Sequence, residues 1–173
     1  MPTFQQALDA DPSKFMTYGA TLIQSAGSVT GLAARYGQQV AELGGSWQGD
    51  DYNGLLEWAA QVGTFTAQVD AVLLTAATAL EALGASMTIN VQTLKFTKQA
   101  AEGIGYKVLP TPFVILGPSQ WSQVSSAGPG APAVLAAYQA GAAAFTAALT
   151  AQYAAIIAQD VAANTAIRAA IAL

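Results

Sequence analysis

No proline occurs between Pro12 and Pro110, and apolar residues recur through this stretch at intervals of three and four. That spacing places apolar side chains along one stripe of a helix, and the lack of proline lets the helix continue for many turns. An alternating pattern of useful length, as strands require, is absent. The sequence therefore predicts an all-α chain of long helices that pack along their length.

The first long helix is predicted over about residues 12–44. Asp11 is a candidate N-cap and Pro12 a candidate first helical residue. Gly44 and Gly45 are expected to end the helix, because paired glycines favour a left-handed C-terminal cap. The apolar seam of this helix consists of Phe15, Tyr18, Leu22, Ala26, Val29, Ala33, Tyr36, Val40 and Leu43.

A second helix is predicted over residues 50–103, with Asp50 as a candidate N-cap. The connection between the two helices is short, so they should form an antiparallel hairpin. At about 1.5 Å per residue the second helix would be ~80 Å long, and the first can cover only part of it. Its seam runs through Tyr52, Leu55 or Leu56, Ala59, Val62, Val69, Leu73, Ala76, Leu80, Leu83, Met87, Val91 and Leu94.

Residues 104–130 are rich in proline and glycine and also in large apolar residues, which predicts a crossover that docks on the helices or on a partner. Pro132 lies in the first turn of a third predicted helix over residues 131–172. We therefore expect a single helical domain over 1–173, an elongated hairpin plus a third long helix that together form a bundle. The third seam is Leu135, Tyr138, Ala142, Phe145, Leu149, Gln152, Ile156, Ala163, Ile167 and Ile171.

The chain is 53% apolar and only 9% charged, against a usual charged share of about 25%. Few residues are left to solvate the surface, so much of it should be covered by partner subunits, by lipid or by another copy. The six basic residues are scattered rather than clustered, which argues against nucleic acid and against a polybasic membrane anchor.

Catalysis has little support in the residue content. The sequence contains no cysteine and no histidine, which excludes Ser-His-Asp and Cys-His mechanisms and cysteine-ligated metals. Asp50 and Asp51 are adjacent, so their side chains diverge by about 100° on a helix, and a role at the helix N-terminus fits them better than metal binding. We therefore predict no catalytic residue, no cofactor, no metal site and no enzymatic activity.

The turn between the first two helices contains Trp47-Gln48-Gly49 within the segment GGSWQGDDYNGLLEW. Tryptophan is an unusual turn residue, because its large ring favours burial and its indole N–H needs a partner. One explanation is that Trp47 covers the end of the hairpin core. The N-terminus, MPTFQQALDADPSKF, also lacks the pattern of a Sec-type signal peptide, so export would need another route.

A Trp-X-Gly turn between two long alanine-rich helices resembles the WXG superfamily of type VII secretion substrates, over roughly residues 10–95. The long helices are similar to the PPE and Esp proteins of mycobacteria and related actinobacteria. The resemblance implies a secreted or cell-surface helical protein, exported folded with a PE-like or Esx-like partner or as a homo-oligomer. It also implies that Trp47 and Gly49 form part of a surface read by the partner or by the secretion machinery.

The same family uses a Tyr-X-X-X-Asp/Glu export signal beside the turn, and this chain departs from that pattern. None of its six tyrosines is followed by an acidic residue four positions later. The resemblance therefore implies that a partner supplies the signal, or that it lies on chain not present here, unless the protein is not exported.

No charged residue occurs from Val108 to Gln159. The third helix within this run is long enough to span a bilayer, but alanine contributes little transfer free energy, so close packing in a bundle is the alternative to membrane contact. The segment before it should either touch a membrane or a partner, or fold back over the second helix. Its candidate oligomer or membrane contacts are Phe113, Val114, Ile115, Leu116 and Trp121.

The resemblance to the WXG superfamily, together with these observations, implies a non-enzymatic type VII secretion substrate that acts by helical assembly with a partner or with itself. A membrane-interacting or pore-forming oligomer is the first alternative, and a structural assembly subunit is the second.

Overall fold

The computed structural model describes residues 2–171, and this range contains five α-helices and two short strands. The helices are α1 (Phe4–Leu8), α2 (Ser13–Leu43), α3 (Asp50–Gly103), α4 (Pro118–Ser126) and α5 (Ala131–Ile171). The strands β1 (Lys107–Val108) and β2 (Val114–Ile115) pair antiparallel, with Lys107 opposite Ile115 and Val108 opposite Val114. The predicted all-α, bundle-like fold is confirmed. Position 172, the predicted end of the third helix, lies outside the described residues, as do Met1 and Leu173.

The long helices begin and end close to the predicted positions, but two of the predicted caps are wrong. The backbone of Gly44 and Gly45 does not adopt the left-handed conformation. Helix α2 ends instead in hydrogen bonds to the residue three positions earlier, such as Gly44 N to Ala41 O at 3.1 Å. Asp50 is the first residue of α3 rather than its cap, because the carbonyl of Gly49 accepts the first helical bond, from Asn53 N at 3.1 Å. Helix α2 starts one residue after Pro12.

Helix α1 was not predicted, and a capping box accounts for its formation. The Thr3 side chain accepts a hydrogen bond from Gln6 N at 3.2 Å, and Thr3 N donates to Gln6 Oε1 at 2.7 Å. This short helix buries Phe4 and Leu8, and the Phe4 ring meets Tyr153 edge-on at 5.8 Å between ring centroids. Tertiary burial therefore stabilises a helix too short to be stable alone.

The chain divides into two compact units, each with its own buried residues. We call residues 13–84 and 163–171 the hairpin unit, and residues 2–12 and 85–162 the crossover unit. The prediction of a single domain over the whole chain stays a prediction.

In the hairpin unit, α2 and the first part of α3 run antiparallel. Thr30 Oγ1 donates to Asp70 Oδ1 at 3.2 Å. The predicted seam of α2 is buried or half-buried except at Tyr18 and Leu43. Tyr18 is 63% exposed and the neighbouring Gly19 is buried in its place, because a Cβ at Gly19 would lie 3.0 Å from the carbonyl of Ala77 on α3.

In the crossover unit, the last part of α3 packs antiparallel to α5 around Leu94 and Leu149, both fully buried. Two side-chain hydrogen bonds join the helices, Gln152 Nε2 to Thr97 Oγ1 at 2.9 Å and Gln159 Nε2 to Ser86 Oγ at 3.0 Å. The predicted seams of α3 and α5 in this unit are buried or half-buried. The α3–α5 seam is therefore the core of this unit.

Candidate interaction surfaces

The Trp-X-Gly turn leaves its tryptophan accessible. Trp47 N donates to Leu43 O at 2.8 Å, which fixes the backbone, while the side chain is 44% exposed. Gly49 has a φ of +115°, which residues with a side chain rarely adopt, so glycine is required here by backbone conformation. The turn thus presents a half-exposed indole on a backbone that the glycine makes possible.

Gly44 has a different reason to be glycine. The ring of Tyr52 occupies the space that a Cβ at Gly44 would need, and the Tyr52 hydroxyl donates to the carbonyl of Ala41 at 3.4 Å. The first turn of α3 is therefore packed directly against the last turn of α2. This contact fixes the base of the turn on which Trp47 lies.

An apolar groove runs along one side of the α2–α3 hairpin, with a volume of 270 Å³. Two exposed aromatic residues of α3 flank it: Trp58 lies four residues before Val62 and Phe65 three residues after it, so both share its side of the helix. Leu32 and Phe65 are each 65% exposed and Trp58 is 58% exposed. We call this surface the hairpin face; it consists of the groove residues Val29, Leu32, Ala33, Tyr36, Val62 and Thr66 together with Trp58 and Phe65.

The crossover is anchored at its start by two buried side chains. Tyr106 is buried and donates from its hydroxyl to the carbonyl of Tyr138 at 3.0 Å. Burial, and secondarily the nearby Tyr138, raises the pKa of the Tyr106 hydroxyl above its usual value of 10.0. Gln120 is 2% exposed, and its amide donates to Ile104 O at 3.1 Å while accepting from Gly117 N at 2.8 Å. The Gln120 bonds tie the residue after α3 to the start of α4, and the Tyr106 bond ties the crossover to α5.

The apolar segment of the crossover folds against α5. Val114 N donates to Thr146 Oγ1 at 3.0 Å, which joins β2 to the middle of α5. Phe113 and Trp121 nevertheless stay 56% and 53% exposed, whereas Val114 is buried. The predicted contact segment is therefore packed against α5 and still partly exposed to solvent.

All five predicted contact residues of this segment line one groove of 590 Å³, which we call the crossover groove. Large side chains form its walls and small side chains of α5 form its floor. The walls are Phe113, Val114, Ile115, Leu116 and Trp121, and the floor is Gln139, Ala142, Ala143, Thr146 and Ala147. The groove contains no charged residue and only two polar side chains.

The described residues contain no group of three potential metal ligands among histidine, cysteine, aspartate and glutamate. Asp50 and Asp51 both lie in the first turn of α3, where negative charge favours the helix dipole. Lys98 and Glu102 form an i,i+4 ion pair at 2.8 Å on a partly exposed helix surface, a pair of a kind that contributes little to stability.

Sequence reasoning missed Tyr106 and Gln120 as the residues that position the crossover groove. Gln120 could have been found from the sequence, because a proline at the first helical position, Pro118, followed by a glutamine at the third is typical of a helix start. No local sequence pattern indicates the role of Tyr106, because its partners Tyr138 and Gly141 lie more than thirty residues away in the sequence.

Comparisons of the chain with protein-family models, with curated proteins and with solved structures found no match. Function is accordingly inferred from the two apolar surfaces and the turn.

Proposed function

We propose that this chain is a non-enzymatic substrate of type VII secretion that acts by helical assembly with a PE-like or Esx-like partner or with another copy of itself. The observation that carries the proposal is the uncovered hairpin face, which lies on the same pair of helices that the Trp-X-Gly turn joins. Large exposed apolar residues grouped on one side of a soluble helical pair mark a contact surface.

The spacing on the hairpin face suits a helical partner. Trp58 and Phe65 are seven residues apart, the repeat at which side chains of one helix meet a second helix packed alongside. Val62 lies between them at the edge of the 270 Å³ groove, which offers a depression for partner side chains. Aromatic residues in such a position contribute disproportionately to binding free energy.

Trp47 supports the secretion part of the proposal. A turn that only connected two helices would not need a tryptophan, and this one leaves 44% of its surface accessible. In the proposed function Trp47 is contacted by the partner or by the secretion machinery, and the partner carries the Tyr-X-X-X-Asp/Glu signal. The protein then leaves the cell through the type VII machinery.

Assembly is tested by measuring the mass of the purified chain, alone and with a candidate partner, by light scattering after size exclusion. Phe65→Lys should weaken the complex at least tenfold, because a charge would be buried in an apolar contact. Ala67→Lys is the matched control, since Ala67 is exposed on the same helix and does not line the groove. Equal effects of the two variants would contradict assembly through the hairpin face.

Export is tested in an actinobacterium with and without a working type VII system. The chain should reach the medium or cell surface only when the system works, and Trp47→Ala should retain it in the cell without unfolding it. Identical retention in both strains would refute the secretion proposal while leaving assembly open to its own test.

A membrane-interacting oligomer is the second candidate. Two segments, one in Asp50–Gly103 and one in Gly128–Ala169, are long and apolar enough to cross a membrane by length and composition, although core helices of soluble proteins pass the same criterion. Flotation with liposomes separates the candidates: membrane binding carries the protein upward with the lipid, and a soluble helical complex stays at the bottom. Negative-stain images with regular tubes or shells would instead favour a structural subunit.

A further inference from the structure

The crossover groove has the size and lining of a small-ligand site, which the proposed assembly does not require. Its volume of 590 Å³ lies within the range of about 300–1,000 Å³ that is typical of such sites. Aromatic and branched side chains form the walls, and the short alanine side chains of α5 leave space above the helix surface. The shape is set by packing of the crossover, since Val114 N is bonded to Thr146.

The lining of the groove is uncharged, which favours an uncharged ligand. No lysine, arginine, aspartate or glutamate occurs from Val108 to Gln159, a range that includes every lining residue. A carboxylate or phosphate held among these lining residues would lose hydration without gaining an ion partner from any of them, which is unfavourable. The polar side-chain groups of the lining are the Gln139 amide, the Trp121 indole N–H and the Thr146 hydroxyl, which already accepts from Val114 N.

The backbone of the groove wall disfavours an extended peptide. Phe113 N donates to Thr111 O at 2.6 Å, Val114 N to Thr146 Oγ1 at 3.0 Å and Trp121 N to Gly117 O at 3.2 Å. A peptide strand that entered the groove would find these three donors occupied, so its own carbonyl groups could not pair with them. An alkyl chain has no such groups to satisfy.

The length of the groove floor fits a single alkyl chain. From Gln139 to Ala147 the floor of α5 rises by roughly 12 Å at about 1.5 Å per residue. Gln139 lies at one end of this floor, and within the described part of the chain its amide makes no hydrogen bond. We propose that the crossover groove binds the acyl chain of a neutral single-chain lipid, with the Gln139 amide hydrogen-bonded to the uncharged hydroxyl or ester at the end of the chain.

The proposal is tested with 1-decanoylglycerol as the probe and the full chain at pH 8. Trp121 lies in the groove wall and its fluorescence should change saturably on binding, and Trp121→Phe should abolish that change. Decanoate, which has the same chain but an ionised carboxylate, should bind at least tenfold more weakly. Equal or tighter binding of decanoate would contradict an uncharged site.

Two alanine substitutions on α5 locate the site. Ala143→Phe fills the floor and should weaken binding of the probe at least tenfold, whereas Ala140→Phe, exposed on the same helix and outside the groove, should leave it unchanged. Circular dichroism should show the same helicity for both variants. Binding that resists Ala143→Phe, or a fluorescence change that survives Trp121→Phe, would place the probe elsewhere and overturn the proposal.

A bilayer is the competing source of acyl chains. Flotation with phosphatidylcholine vesicles should leave the protein at the bottom, because we propose a site for a monomeric lipid. Co-flotation that Ala143→Phe abolishes would show that the groove binds a membrane and would overturn the monomeric assignment. This outcome is independent of the export and assembly tests, which do not involve the groove.

Discussion

The hydroxyl of Tyr106 lies over Gly141 and occupies the space that a Cβ at that position would need. The same hydroxyl donates to Tyr138 O, and the Tyr106 ring lies 5.7 Å from the ring of Phe145. A residue of the crossover is thus inserted into a notch on α5. This contact positions the segment from which the crossover groove is built.

Gly141→Ala should destabilise the protein by about 1–3 kcal/mol, because the added methyl overpacks a filled site. A loss of stability would support this contact, because alanine is otherwise favoured over glycine in a helix by about 1 kcal/mol. Gly63→Ala on α3 is the matched control: no atom lies within 4 Å of its Cβ position, so this variant should gain stability. Urea unfolding measures both, and equal gains would show that Tyr106 does not fill the notch.

Tyr106 should make stability fall at high pH. Its pKa is raised in the folded state, so the folded protein holds the phenolic proton at pH values where the unfolded chain has lost it. The free energy of unfolding contributed by this group is therefore fully present below pH 10.0 and is lost as the pH rises through the folded-state pKa. Tyr106→Phe should show a shallower decline above pH 10.0 in urea unfolding. Parallel declines in the two proteins would contradict a raised pKa.

Gln152→Leu should leave stability unchanged or raise it by about 1 kcal/mol. Gln152 Oε1 is buried and has no hydrogen-bond partner among the described residues, and such an atom is unfavourable by about 1–3 kcal/mol. Thr97 keeps a partner in the variant, since its hydroxyl donates to Thr93 O at 2.9 Å. Gln152→Ala leaves a cavity and should lower the melting temperature. A large loss with leucine would indicate a bound water on Oε1.

Gly49→Ala should destabilise the hairpin by about 1–2 kcal/mol, because alanine is strained at a φ of +115°. Gly45→Ala is the comparison in the same turn; its backbone is not left-handed and its Cβ would meet Glu42 O at 3.6 Å, an ordinary contact. Thermal unfolding should separate the two variants. Similar melting temperatures would mean that the turn can adopt a backbone without a positive φ.

The apolar seams could be predicted from the sequence because helical periodicity is a local property. Leu94, Leu149 and Ile156 were each expected in a seam, and each is buried. The prediction was wrong at Tyr18, where spacing alone could not show that the helices approach closely enough to require Gly19. The caps at Gly44 and Asp50 were wrong for a related reason, since several backbone routes fit the same short turn.

Sequence alone therefore determined the all-α class, the ends of the long helices to within a residue or so and the absence of charge from Val108 to Gln159. Only tertiary structure decided that the apolar crossover residues line one groove on α5. The bonds that place them, Tyr106 to Tyr138 and Val114 to Thr146, each join residues 32 positions apart. No periodic pattern encodes such contacts, because they depend on which surfaces meet after the helices have packed.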